Sequence, residues 1–179
     1  MARSAEPTAR VFFALLPPTA AQLALGELAR EVARRAHGRP VPAENMHITL
    51  AFIGSWPIAR TPMLVEAAQD VVGNPVRITL DTRGAFRRAG IAWIGSSSAP
   101  AALSQLQASL AAALTNGGIA FDDPQPYRPH VTLARRCRGP YPRGSVQPIA
   151  FDVDRFTLMQ SQTQAEGARY TVLAQWPLL

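Results

Sequence analysis

Two tetrapeptides in this sequence share one pattern, His47-Ile48-Thr49-Leu50 and His130-Val131-Thr132-Leu133. Each sits in an apolar run of the kind that forms a buried strand, and in a strand residues i and i+2 share a face. His47 and Thr49 therefore project together, as do His130 and Thr132, while Ile48, Leu50, Val131 and Leu133 point the other way, into a core. The chain has three histidines. Shuffling its composition would set Thr and Leu at these offsets from two of them on the order of once in 10⁴. A core would not keep an imidazole in both copies without partners for each. If the two strands face one another across a groove, two imidazoles flank a cavity with a hydroxyl beside each.

That set suits displacement at a phosphodiester. Nucleophile and leaving oxygen lie roughly in line on opposite sides of phosphorus, so one group must take a proton while another gives one. Histidine does both near neutral pH, and each role is typically worth ~10²–10⁴ in rate. The two roles need opposite protonation states, which gives a bell-shaped pH profile. The threonine hydroxyls can donate to the non-bridging phosphate oxygens. The motifs are nearly symmetric, so the residues alone do not say which histidine is acid and which is base. The scheme needs no metal, and no cofactor is expected.

The elements that must position these residues are partly legible. Residues 1–9 read as a flexible lead-in and 10–179 as a single domain. An apolar strand over 11–16 is stopped by Pro17-Pro18. Thr19 and Gln22 have the form of a capping box opening a helix to about Ala36, with Leu25, Leu28, Ala29 and Val32 as its buried stripe. Gly38 ends that helix, and His37 there reads as a surface residue. The first motif strand spans 46–53. Thr61-Pro62 predicts a helix running to about Val72. Val76, Ile78 and Leu80 alternate as in a half-exposed strand, Arg83-Gly84 reads as the start of a turn, and 90–95 as a short buried strand. Ser97 or Ser98 is expected to cap a helix carrying Leu103, Leu106, Leu110 and Leu114, closed by Asn116-Gly117-Gly118. A proline-rich link leads to the second motif strand, 130–135; 137–148 reads as a loop. Strands at about 150–160 and 169–175 are expected to pair as a hairpin. Several strand links are too short for helical crossovers, so the class is mixed α+β with mainly antiparallel sheets.

Composition narrows the partners. The net charge is +6, and all 18 basic residues are Arg, since the sequence contains no Lys. That balance favours polyanions such as RNA or phosphate esters. The lone Cys137 excludes an intramolecular disulfide and agrees with a reducing cytoplasm. Arg135, Arg136 and Arg138 beside it could lower its pKa, but the residue reads as an incidental loop cysteine. No apolar run is long enough to span a bilayer. The expectation is a cytoplasmic monomer with no membrane association.

With these residues in view, the sequence resembles the two-histidine phosphoesterases, and within them the LigT-like RNA 2′,3′-cyclic phosphodiesterases of bacteria and archaea, also called 2′-5′ RNA ligases. RVFFALLPP looks like that family's first strand and turn, ENMHITLAFIG like its first motif and GAFRRAGIAWIG like its middle hairpin. YRPHVTLAR is similar to its second motif and YTVLAQWPL to its last strand. The resemblance implies a bilobal, pseudo-twofold phosphodiesterase domain over 10–179, with two mainly antiparallel sheets around a central groove and helices outside. It implies metal-independent hydrolysis of a terminal ribose 2′,3′-cyclic phosphate to a 2′-phosphate, on RNA ends or small cyclic nucleotides. It makes His47 the proton donor and His130 the acceptor, with Thr49 and Thr132 as phosphate ligands. Arg135 matches the arginine that ends the second motif. Strict alternation puts it on the face opposite His130, so contact with the phosphate needs a bulge or a strand end; Arg136 has the right parity without the match. Arg83, Arg87, Arg88 and Arg128 are candidate backbone contacts, and Phe12 or Phe13 could line the groove and stack a base, although core packing is the simpler role for a phenylalanine.

Three rivals stand beside this reading. Reversible 2′-5′ ligation would reuse the same groups with a ribose hydroxyl replacing water. A non-catalytic RNA-binding module would use the histidines only to contact phosphate. A metallohydrolase is disfavoured, because His, Asp and Cys do not cluster as ligands do.

Overall fold

The apolar run near the N-terminus is strand β1 (Thr8–Leu15), which begins within the expected lead-in. The computed structural model describes residues 6–164 and 167–179; residues 1–5 of the lead-in lie outside them. Helix α1 (Thr19–Arg35) follows, then β2 (Arg39–Pro40), β3 (Ile48–Pro57), α2 (Thr61–Ala68), β4 (Val76–Phe86) and β5 (Ile91–Gly95). Helix α3 (Ala101–Asn116), β6 (His130–Arg135), β7 (Gly144–Val153), β8 (Arg155–Gln164) and β9 (Gly167–Pro177) complete the chain.

Among the described residues the strands run in the order β7-β4-β5-β6-β3-β1-β8-β9, with β2 added beside β6. All pairings are antiparallel. The two expected sheets are the halves β7-β4-β5-β6 and β3-β1-β8-β9, and a single registered pair, Ile48 with Val131, joins them into one continuous sheet. Each half has a strand–helix–strand unit ending in a motif strand, β1-α1-β3 in one and β5-α3-β6 in the other. The helices cross over: α1 packs against β6 and β2, and α3 against β3 and α2. Each motif strand is thus backed by the helix of the opposite unit. Ile48, Leu50, Val131 and Leu133 lie in the shared core with Leu25, Val32, Leu106 and Leu110, so the alternation read from the motifs holds, and the histidine face looks away from this core.

The ends of elements differ most from expectation. No capping box forms at Thr19: Pro18 occupies the cap position, and the Gln22 amide donates to the Pro18 carbonyl at 2.9 Å. Arg60, not Thr61, caps α2, which stops at Ala68 rather than near Val72. Pro100 caps α3, and Ser97 instead donates its amide and hydroxyl to the Asp81 carboxylate at 2.7 and 2.6 Å. A proline with fixed φ presets the extended cap geometry without a side-chain bond. At the end of α1 the left-handed residue is His37 (φ 49°), exposed as expected. Gly38 is required for a different reason, since a Cβ there would press on Cys137 Sγ and the Arg135 carbonyl.

Arg83-Gly84 is strand, not turn; β4 runs on to Phe86, and the turn is the 3-10 segment Arg87–Ala89 closed by Gly90 at φ 65°. Gly84 pairs with Trp93 across β4 and β5, and its missing side chain leaves room for the indole that lies over it. The expected loop 137–148 is shorter, because β7 already starts at Gly144. Residues 150–153 belong to β7, and the final hairpin is β8 with β9, paired from Arg155–Pro177 to Gln164–Gly167.

Candidate active site

His47 stands one residue before β3 and His130 opens β6. The two are held alike. His47 Nδ1 lies 2.8 Å from the Asn45 carbonyl and His130 Nδ1 2.7 Å from the Arg128 carbonyl, each two residues upstream. A carbonyl oxygen only accepts, so each Nδ1 carries the proton and each Nε2 is left to do chemistry. Asn45 is itself buried, and its Nδ2 donates to the Ala168 carbonyl at 2.8 Å, which ties the holder of His47 to β9.

Each imidazole also sits between two aromatic rings. Phe12 and Tyr170 lie 4.7 and 5.3 Å from His47, centroid to centroid; Phe86 and Trp93 lie 5.1 and 6.1 Å from His130. Phe12 therefore lines the site, while Phe13 is wholly buried in the core with Phe156 and Trp176. This apolar packing has an electrostatic result. Burial lowers the His47 pKa from 6.5 to about 4, against the Asn45 hydrogen bond that raises it, and the positive charges of Arg135 and His130 lower it further. His130 is lowered by burial too, with a smaller push from Arg135. In the free chain both rings are neutral near pH 7.

The seam between the halves sets their separation. Ile48 and Val131 are in-register partners. Carrying that antiparallel register one residue each way sets His47 beside Thr132 and Thr49 beside His130, with the imidazoles on a diagonal, their Cβ atoms ~7–8 Å apart. Both threonines are half-buried on the histidine face. Tyr127 donates its hydroxyl to the Thr49 carbonyl at 3.0 Å and so anchors the link that delivers the second motif.

Arg135 reaches this face by the bulge that simple alternation lacks. Along β5 and β6 the register runs Trp93 with Thr132 and then Ala92 with Ala134, so Leu133 has no partner. Leu133 and the next residue, Ala134, are both fully buried, parity flips, and the exposed Arg135 lands on the side of Thr132. The same bulge occurs in β3, where Ala14 pairs with Thr49 and Phe13 with Ala51, skipping Leu50. Position for position, Phe52 stands in the first half where Arg135 stands in the second. Arg135 is thus the arginine whose charge is felt by both histidines.

The other candidates scatter. Arg83 is only 17% exposed and lies 3.9 Å from Glu31, which removes it as a backbone contact. Arg87 stacks over the Tyr141 ring, and Arg88 and Arg128 are exposed. Cys137 is buried, and burial raises its thiol pKa, so its arginine neighbours do not activate it. Among the described residues no three His, Cys, Asp or Glu side chains gather as a metal site would need, and no helix is long and apolar enough to cross a membrane. Asn45, Phe86, Trp93, Tyr127 and Tyr170 had no signal of their own in the sequence; only Asn45, two residues ahead of a motif histidine, was near enough to suspect.

Comparison with known proteins agrees with this geometry. The family described as LigT like Phosphoesterase matches residues 15–93 and 94–170, one match for each half of the motif repeat. An RNA 2′,3′-cyclic phosphodiesterase of Escherichia coli is 32% identical over 145 residues, 79% of this chain and 80% of that protein. One from Thermus thermophilus is 31% identical over 182 residues, 94% of this chain and 90% of that one. The crystal structure of E. coli LigT complexed with 3′-AMP superposes with a TM-score of 0.85 at 29% identity, covering 96% of this chain and 99% of that one.

Proposed function

This chain belongs to the LigT like Phosphoesterase family, and from that premise we propose that it hydrolyses the terminal 2′,3′-cyclic phosphate of RNA, or of small cyclic nucleotides, to a 2′-phosphomonoester. The observation that carries the reading is the matched pair of imidazoles, each with Nδ1 tied to the carbonyl two residues upstream and Nε2 left to react. A phosphate between them has one Nε2 on each side. His130 Nε2 takes a proton from water as its oxygen attacks phosphorus, and His47 Nε2–H gives a proton to O3′ as the P–O3′ bond breaks. The ring opens, the 2′-phosphate stays on the ribose, and a further proton transfer through solvent resets the pair. Thr49 and Thr132 donate to the non-bridging oxygens, and Arg135 balances their charge.

This assignment of donor and acceptor follows the family resemblance. It requires the bound phosphate anion to recharge His47, which burial otherwise holds at about 4. Both histidines come from one chain, so a monomer suffices, and we assign the activity to the cytoplasm. The test is to incubate the protein with a 2′,3′-cyclic mononucleotide in the presence of chelator and identify the product. A 2′-phosphate is expected. No turnover would overturn the reading, and a chelator-sensitive activity restored by a divalent ion would overturn its metal independence.

A further inference from the structure

The cleft does not end at the histidines. Tyr170, which meets His47 edge-on, is also a wall of a cavity of about 650 Å³. Arg39, Arg135, Arg136 and Arg169 line it, with Glu44 as the one carboxylate among the described lining residues. All four arginines are exposed, and none is in an ion pair among the described residues. Arg39 and Arg135 are in-register partners on β2 and β6. Like charges directly opposite on neighbouring strands are destabilising, and an anion lying between them would remove that cost. Arg136 follows with φ 56°, a left-handed conformation uncommon for a residue with a side chain. The floor includes Asn45 and Ala168, the hydrogen-bonded pair that holds His47 in place. Cavity and catalytic face therefore share a wall.

A 2′,3′-cyclic phosphate closes the 3′ end of an RNA. The rest of that molecule can only extend on the 5′ side, through further anionic phosphodiesters. We propose that the four-arginine cavity is an upstream subsite that binds these backbone phosphates, so that the enzyme acts on oligonucleotide ends in preference to free cyclic mononucleotides. The proposal rests on the hydrolytic reading above. Its chemistry is that of single-strand binding in general, a basic groove for the backbone with an aromatic ring, here Tyr170, against which a base can stack.

The experiment compares kcat/KM for a 2′,3′-cyclic mononucleotide and for a short oligoribonucleotide with the same end. It uses the parent and the triple variant Arg39→Gln, Arg136→Gln, Arg169→Gln; Arg135 is left in place because it serves the reacting phosphate. The parent is expected to favour the oligonucleotide at least ~10-fold, as one or two charge-assisted contacts would give. The variant should lose that preference while its mononucleotide kcat/KM stays within about twofold. The dependence of oligonucleotide log KM on log salt should also weaken by about 2, near 0.7 per lost phosphate contact. Equal kcat/KM for both substrates in the parent, or an equal fall for both in the variant, overturns the subsite. If the parent turns over neither substrate, the hydrolytic reading has failed. Binding of a labelled 3′-phosphorylated oligonucleotide then decides the subsite alone, and unchanged affinity in the variant overturns it. Should the triple variant melt early, Arg169→Gln by itself, at an exposed strand position, carries the same comparison.

Discussion

Ile48 and Val131 pair across the seam between β3 and β6, and each stands one residue after a motif histidine. Through that single registered pair two strands from different halves of the chain present their imidazoles to one space. Neither half contains a site by itself, since each supplies one imidazole, one hydroxyl and one pair of aromatic rings. Only the second half adds a cation, Arg135, where the first has Phe52.

Replacing either His47 or His130 with Ala is expected to lower kcat on a cyclic phosphate by about 10²–10⁴. Because both act in one displacement, the double variant should be little worse than the poorer single. Steady-state kinetics in chelator checks this; a single variant that keeps kcat within tenfold would remove that histidine from the mechanism.

The donor and acceptor roles can be told apart by the leaving group. A departing nitrophenolate needs no proton, so an aryl phosphodiester should recover much of the rate lost in His47→Ala and little of that lost in His130→Ala. The opposite pattern would exchange the two assignments.

Burial of His47 makes stability depend on pH. Its pKa falls from 6.5 to about 4 on folding, so between those values the unfolded chain binds more protons and stability drops as pH falls. The loss begins below pH 6.5 and amounts to about 3 kcal/mol by pH 4, with His130 adding to it in the same direction. Urea melts at pH 7.5 and pH 5 should show the slope, and His47→Gln should flatten it. An unchanged slope would mean that His47 is already charged in the folded protein.

Arg135→Gln is expected to reduce kcat/KM by roughly 10–100-fold, the worth of a charge-assisted contact to phosphate, mainly through KM. The same change removes a positive charge that lowers both histidines. The acid limb of the free-enzyme pH profile should therefore move upward. Arg135→Lys should restore the limb more fully than KM, because a lysine keeps the charge without the forked donors.

Gly84→Ala tests how Trp93 is held against His130. A Cβ at position 84 would run into the indole ring, and overpacking of this kind costs about 1–3 kcal/mol. The variant should melt lower and lose activity together, and Gly84→Ala with Trp93→Phe should melt higher than Gly84→Ala alone, since the smaller ring vacates that space.

The sequence by itself determined the mixed α+β class, the two motif strands and the face on which His47, Thr49, His130 and Thr132 project. These follow from a period of two along a single strand and from apolar runs, both of which are local properties. Helix starts were misplaced at Thr19, Thr61 and Ser97 because prolines and an arginine took the cap positions, and a serine or threonine near a boundary has other partners to satisfy, as Ser97 has Asp81. The tertiary structure alone decided the position of Arg135, because a bulge is a count of residues on one strand against those on its neighbour, and the Leu133 surplus exists only relative to β5. It alone brought Tyr170 and Ala168 from the last strand to His47 and Asn45. It alone set two arginines, Arg39 and Arg135, face to face at the mouth of the cleft. No pattern in a linear text encodes which strand lies beside which; that is settled when the burial of both motif strands against crossed helices leaves one register available.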